Sequence, residues 1–450
     1  MDFRQRLLAV GAAGALVVGA ASAATANPAS DVGGPRDLGR EVLARNDGWA
    51  AAQGGTTGGA AAGAQNVFHV DTWQEFRAAL GGDDARGDTT ARIVYVHGML
   101  DANLRTADGS VDCAAYEVEG FDMQDYIDAF DPAVWGTEEP AGPLEDARAA
   151  SQDIQDQQVR QYVGSNVTIV GVGRNAGITG AALTVRGSDN VIIRNLRLSD
   201  AYDCFPSWDP GDAGGTWNSE YDNLWLAEST HVWVDHNTFD DGANPPESLP
   251  RVYGTKFEVH DGLLDITNNS DLVTVSWNEF RDHDKVNLIG SSNTRLPDRG
   301  TLRVTLHHNL YENVGQRTPR VRFGDVHVYN NYYVEPDAAG YVYSWGVGVE
   351  AEIVAENNFF QLADGIDPAD VVADWRPADR LGDAGLEESG TMLNGRSRHH
   401  RVSLVAAYNA EHDPDLPTTV SWEPTLHGQI HPTQAVPALV TAKAGAGVIG

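Results

Sequence analysis

The residues with the most chemical content fall in three short stretches of the 450-residue chain. Tyr221-Asp222-Asn223 carries one carboxylate, and His260-Asp261-Gly262-Leu263-Leu264-Asp265 carries two more. Asp284-Lys285-Val286 is followed by Gln316-Arg317-Thr318-Pro319-Arg320-Val321-Arg322-Phe323-Gly324, which places three guanidinium groups within six residues. Asp222, Asp261 and Asp265 make a candidate site for a hard cation, because Ca2+ takes carboxylate oxygens at about 2.3–2.6 Å. The first two are 39 residues apart, close to two turns of the repeat described below, and can stack on one face. The second spacing is harder: four residues of straight strand span about 13 Å, so one ion requires a turn or bulge near Gly262. After Pro319, a strand should turn Val321 and Phe323 inward and Arg320 and Arg322 outward. Lys285, one of only three lysines, can reach the same face. In so acidic a chain an isolated arginine usually neutralises neighbouring acids, and that reading stays open for each of the three alone.

The elements that must position these groups come from a repeat. Val191-Ile192-Ile193-Arg194-Asn195 is echoed by Val232–Phe239, Val273–Phe280, Val304–Tyr311, Val326–Tyr333 and Ile353–Phe360. Each alternates apolar residues and reaches an Asn, and most continue into an aromatic or aliphatic pair. Asn309 to Asn331 is 22 residues, Asn331 to Asn358 is 27, and Asn237 to Asn278 is 41, close to two such periods. A period of 20-odd residues built from strands and turns is a solenoid signature. Leucine-rich repeats lack this spacing, and a propeller needs a period near 40 with four strands per blade. The pattern therefore predicts an all-β fold, a right-handed parallel β-helix with long loops. The inward Val and Ile stack, and the corner Asn amides satisfy backbone groups inside the turns. Such a cylinder needs a closed end, and residues 72–80 supply an N-terminal capping helix. Asp71 can cap it, Trp73, Phe76 and Leu80 share one face, and Gly81-Gly82 ends it. Ala91–Val96 reads as a short strand. Residues 101–160 are acidic and irregular, predicting long loops with one helix.

Composition sets the outer bounds. A net charge of −33 argues against nucleic acid and anionic membrane as partners. With 42% hydrophobic residues and 11 Trp, 14 Tyr and 12 Phe the chain can fill a large core, which excludes global disorder. Arg4 and Arg6, the apolar run Leu7–Ala20 and the small residues Ala21-Ser22-Ala23 or Ala24-Thr25-Ala26 read as a signal peptide over 1–26. The run is too short for a spanning helix. The protein is thus expected to be secreted and extracellular, free of membrane once the signal is removed, and monomeric. Residues 27–65, rich in Ala, Gly and Thr, read as a flexible arm ahead of a β-helix domain over 66–450. Cys113 and Cys204 are the only cysteines. In an exported protein such a pair is expected to be bridged, the alternative being two buried thiols.

The motifs resemble the extracellular pectate lyases of the pectate and pectin lyase superfamily, polysaccharide lyase family 1. The likeness is carried by Val232-Trp233-Val234-Asp235-His236, Asp261-Gly262-Leu263-Leu264-Asp265-Ile266, and Val304-Thr305-Leu306-His307-His308-Asn309. It is densest from Arg317 to Gly324 and on through Val326-His327-Val328-Tyr329-Asn330-Asn331. Ser165–Gly173, Ala201–Pro206 and Ala444–Gly447 extend it, so that it spans roughly 66–447. The resemblance implies Ca2+-dependent β-elimination of polygalacturonate to unsaturated oligogalacturonides. By family position Asp222, Asp261 and Asp265 would hold Ca2+, and Arg317 would take the C5 proton. Lys285 and Arg322 would bind substrate carboxylates, with Arg320 grouped beside them. Removing the C5 proton builds charge on the adjoining carboxylate, where cations contribute most. Relatives that prefer methyl esters lack the acidic ion site, so three retained Asp residues favour unesterified pectate. A guanidinium base must be neutral for an instant although its free pKa exceeds 12, which predicts an alkaline optimum. No residue declares itself as the acid for the departing O4.

The sequence leaves two rival readings. A β-helix hydrolase of the same polymer would use paired carboxylates about 5–10 Å apart and no calcium. A non-catalytic polysaccharide-binding β-helix would not need Asp, Lys and Arg on one face. His283, His307 and His308 lack the partners of a zinc set, and Asp235-His236 lacks a nucleophile elbow, so these are read as architecture.

Overall fold

The computed structural model describes residues 37–449 apart from 107, 108, 111 and 213, so the expected signal peptide and the first part of the arm lie outside the described residues. From Val67 the chain climbs in rungs, each strand pairing in parallel with its counterpart one turn earlier. This is the parallel β-helix the repeat predicts. On the first face Val191, Val232, Val273, Val304, Val326 and Ile353 stand in one column, all fully buried. On the second face Phe239, Phe280, Tyr311, Tyr333 and Phe360 form another, with ring centroids 4.2–5.1 Å apart. That is the strand spacing of about 4.8 Å reproduced in aromatic rings.

The corner between the two faces is an amide ladder. Each Asn Nδ2 donates to the next Oδ1, from Asn237 through Asn278, Asn309 and Asn331 to Asn358, at 3.0–3.3 Å. The residue before each is left-handed: His236, Trp277, His308, Asn330 and Asn357 have φ of 51–56°. An Asn both donates and accepts inside a turn that excludes water, so one residue type serves every rung. Asn195 is the left-handed residue of its rung rather than a ladder member, since Leu196 N donates to Asn237 Oδ1. The 41-residue step from Asn237 to Asn278 is one rung and not two, because the extra chain loops outward between the second and third faces. Asn278→Ala removes the acceptor of the Asn237 backbone N–H, one of the two acceptors of Asn237 Nδ2 and a donor to the Val234 carbonyl, all in a dry turn. We expect a loss of about 3 kcal/mol, read as a lower urea midpoint at unchanged m.

Three local expectations are corrected. The arm is not loose from Asp37 onward: Trp49 N, Ala50 N and Gly59 N donate to the outward hydroxyls of Thr305, Thr274 and Thr168. Leu43 and Ala50 pack on Ile192 and Trp233. Small residues let the arm's backbone approach the sheet closely, which composition alone reads as flexibility. Helix α1 (Trp73–Leu80) is capped by Thr72, whose hydroxyl accepts from Glu75 N, while Asp71 N donates to Glu75 Oε2. Its Trp73, Phe76 and Leu80 close the end of the core as expected. The acidic 101–160 segment holds three helices, α2 (Met123–Ala129), α3 (Pro132–Trp135) and α4 (Pro143–Val159), not one. Cys113 and Cys204 are bridged, and the disulfide sits in an aromatic subcore with Phe205, Trp208 and Trp217. No helix among the described residues is long and apolar enough to cross a membrane.

Candidate active site

The third face is a sheet of eight parallel strands: β1 (Arg160–Tyr162), β2 (Ala182–Arg186), β3 (Leu224–Ala227), β4 (Leu264–Thr267), β5 (Leu288–Ile289), β6 (Arg320–Val321), β7 (Trp345–Val347) and β8 (Val372–Asp374). The charged residues lie on or just before its central strands. Asp261 N donates to Tyr221 O (3.1 Å), Gly262 pairs with Lys285, and Asn287 N donates to Arg317 O (2.7 Å). Asp222, Asp261, Lys285 and Arg317 therefore occupy four successive rungs. The 39-residue gap between Asp222 and Asp261 is a single step, corrected from the two turns its length implied.

The local distortion demanded by Asp261 and Asp265 is present. Leu263 N and Leu264 N both donate to Val286 O (3.2 and 3.0 Å), so two residues share one ladder position as in a bulge. A glycine is required at 262. A Cβ there would fall 2.5 Å from Asp265 Oδ1 and 2.8 Å from Asp222 Oδ1. Those two carboxylates thus converge over the glycine. Gly262 N donates to Asp222 Oδ1 (2.6 Å), and Leu288 N to Asp265 Oδ1 (2.9 Å). Asp261 lines the same cleft but is held by Lys285, whose Nζ donates to its Oδ1 (2.8 Å). Among the described residues no three His, Cys, Asp or Glu side chains already stand in metal-holding geometry, because Lys285 draws the third carboxylate aside.

The electrostatics follow this division. Burial, reinforced by Asp265 and Asp261, pushes Asp222 well above the usual carboxylate range. Burial and the charge of Asp261 push Asp265 up to about 7. Burial opposes the charge of Asp261 too, but the Lys285 ammonium more than offsets it and holds that carboxyl low. The clustered pair fits a hard divalent cation: oxygen donors only, a glycine leaving room between them, and repulsion that positive charge relieves. Across the groove, none of Arg317, Arg320 and Arg322 pairs with a carboxylate among the described residues. Mere neutralisation of neighbouring acids does not account for them. Arg317 faces Asp261, Lys285, Asp284 and Glu258 across one cleft, and its buried Nε has no acceptor. Arg322 donates to Asn293 Oδ1 (2.9 Å) and Gly290 O (2.7 Å), and burial beside Arg320 and Arg317 lowers it to about 10. Val321 and Phe323 point inward as expected. Arg320 turns away from the carboxylates along the sheet.

The sequence matches the pectate lyase family over residues 39–129 and 127–395. It is 41% identical over 415 residues to a pectate lyase of Bacillus subtilis (strain 168), covering 91% of this chain and 94% of that protein. This chain belongs to the pectate lyase family. Its structure is similar to that of a thermostable pectate lyase, with a TM-score of 0.88 at 47% identity over 92% of this chain and 99% of that one. It also superposes on a pectate lyase bound to a hexasaccharide, with a TM-score of 0.85 at 40% identity over 92% of this chain and the whole of that one.

Several residues of this pectate lyase's groove escape a reading of the sequence. His283, set aside there as architecture, sits directly beneath the site. Its Nδ1 meets both Asp241 carboxylate oxygens (2.8 Å), and its Nε2 meets the carbonyls of Asp261 (2.9 Å) and Lys285 (3.1 Å). All four are acceptors, so both ring nitrogens donate and the ring is an imidazolium that ties the two backbones together. Helix α4 and the start of β1 form one wall, with Gln152, Asp153 and Asp156 of the helix and Arg160 of the strand facing Asp222, Asp261 and Asp265 across a cleft. The helix's signal was Gly142-Pro143 followed by Glu145 and Asp146, a helix-start pattern that its polar buried face (Arg148, Ser151, Gln152, Gln155) obscured. His307 and His308 hydrogen-bond to one another and on to His431 (2.8 and 3.0 Å), away from the groove.

Proposed function

We propose that this pectate lyase cuts unesterified polygalacturonate by β-elimination, with Arg317 as the base. The observation that supports this most is the stacking of Asp222, Asp261, Lys285 and Arg317 on successive rungs of one groove. Ca2+ held by Asp222, Asp265 and the neighbouring Asp261 would neutralise the uronate carboxylate as charge builds on it. Arg317 removes the C5 proton. The electron pair left on C5 forms the C4–C5 double bond, the C4–O4 bond breaks, and solvent protonates the departing O4. Lys285 and Arg322 orient substrate carboxylates, and Lys285 is kept in place by Asp261 and by the His283 bridge. An acidic chain must reverse its field locally to receive a polyanion, and the three arginines without acid partners do so.

Export is part of the same proposal. The apolar run Leu7–Ala20 and the Cys113–Cys204 bridge both suit an oxidising extracellular setting. A monomeric state belongs to the same proposal. Incubating the protein with polygalacturonate tests the chemistry: ultraviolet absorbance of the unsaturated product should grow and stop when a chelator is added. New reducing ends without absorbance would instead establish hydrolysis. Neither signal would leave a binding protein.

A further inference from the structure

Trp375 is a large aromatic residue left 41% exposed beside the arginine set. Its backbone is fixed. Trp375 N donates to Val347 O (2.8 Å), and the next residue, Arg376, is clamped by Asp374 (2.8 Å) and the Asp415 carbonyl (3.0 Å). The exposed indole is thus a rigid platform, and presenting it costs little ordering on binding.

Arg320 reaches this platform. Its guanidinium carbon lies 4.2 Å from the indole centroid, a cation–π contact that covers one part of the ring and leaves the exposed remainder free. The stem crosses Gly346, the residue paired with Arg320 in the next strand. A Cβ at 346 would stand 3.1 Å from Arg320 Cγ and 2.8 Å from the Tyr343 ring, so glycine keeps the path open. Tyr343 packs behind, with its ring 5.9 Å from that of Trp375 and itself only 1% exposed. No carboxylate pairs with Arg320 among the described residues, and its buried Nε has no acceptor. An apolar ring face beside an unpaired, preoriented cation matches a sugar ring that carries a carboxylate. Two strand spacings, about 9–10 Å, separate the Trp375 rung from that of Arg317.

We propose that Trp375 and Arg320 form a further subsite for one uronate ring of the polymer, beyond the reacting ring on the C-terminal side of the sheet. The C–H face of the ring rests on the indole, and its carboxylate meets the outer nitrogens of Arg320. Gly346 and Tyr343 position the pair. The proposal rests on the uronate-cleaving reading above. Kinetics of Trp375→Ala and Trp375→Phe on polygalacturonate and on the shortest cleavable oligogalacturonate test it. For Trp375→Ala the KM on polymer should rise about tenfold, and kcat/KM on polymer should fall about tenfold further than on the short substrate. Trp375→Phe should recover most of that difference, and it decides alone if circular dichroism shows the alanine variant unfolded. Equal losses on both substrates, or none, would overturn the subsite. A wild-type protein that yields no unsaturated product would overturn the lyase reading itself, so the two failures are distinct.

Discussion

Arg317→Lys should lower kcat on polygalacturonate about a thousandfold, within the range of a positioned proton-transfer group. The substitution keeps the positive charge, so a purely electrostatic role would survive it in large part. It removes the planar fork and withdraws the nitrogen nearest the cleft, whereas the backbone that places residue 317 is fixed independently. The carbonyl of residue 317 accepts from Asn287 N (2.7 Å), and its φ of 64° is set by the turn. The Asp261–Lys285 pair and the carboxylate cluster have their own supports, so KM should change by only a few-fold. A fall in kcat of less than tenfold would remove Arg317 from the role of base. The wild-type rate should climb toward alkaline pH, and a maximum at pH 4–5 would count equally against it.

The second large effect concerns the carboxylates. Asp222→Asn or Asp265→Asn should reduce activity about a hundredfold or more at limiting calcium, with partial recovery at high calcium. The sign with pH follows from their raised values. Asp265 sits at about 7 rather than 3.8 in the metal-free protein, so folding favours its protonated form. Its contribution to stability is present below about pH 4 and is lost as pH rises through about 7. The metal-free enzyme should therefore lose thermal stability across that window, and calcium should restore it most strongly at the alkaline end. The same protons compete with the ion, so acid pH should raise the calcium needed for half-maximal rate. Equal stabilisation by calcium at pH 5 and pH 8, measured by calorimetry, would show that these carboxylates do not hold it.

Much of this architecture was readable because single residue types perform repeated tasks. The corner amides, the Val and Ile columns and the aromatic stack each recur wherever a rung turns, and periodicity exposes them. Chain length between corners was misleading, since the 41-residue steps hide loops that add no rung. The four-residue spacing of Asp261 and Asp265 calls for a bulge near Gly262, and the bulge is there, but it brings Asp265 to Asp222 while Lys285 draws Asp261 aside. What stayed hidden depends on neighbours remote in sequence. Alternation places Arg320 and Arg322 outward, but only the space over Gly346 and the presence of Trp375 two rungs on decide where Arg320 goes. Helix α4 escaped notice because it packs Arg148 against Glu145 and the Phe205 carbonyl instead of an apolar stripe. His283 carries no sequence mark at all, since its partners are two backbone carbonyls and an aspartate on another rung.

A solenoid held only by contacts between adjacent turns fractures wherever one junction is weakest, shedding material from either tip. The segment that runs from Asp37 past Thr305, Thr274 and Thr168 lies lengthwise across that direction, like a splint bound over a stack of coins. Its bonds engage turns far apart along the stack, so peeling one loose strains the others. The enzyme gains from this a body that resists piecemeal erosion and fails, when it does, as one object.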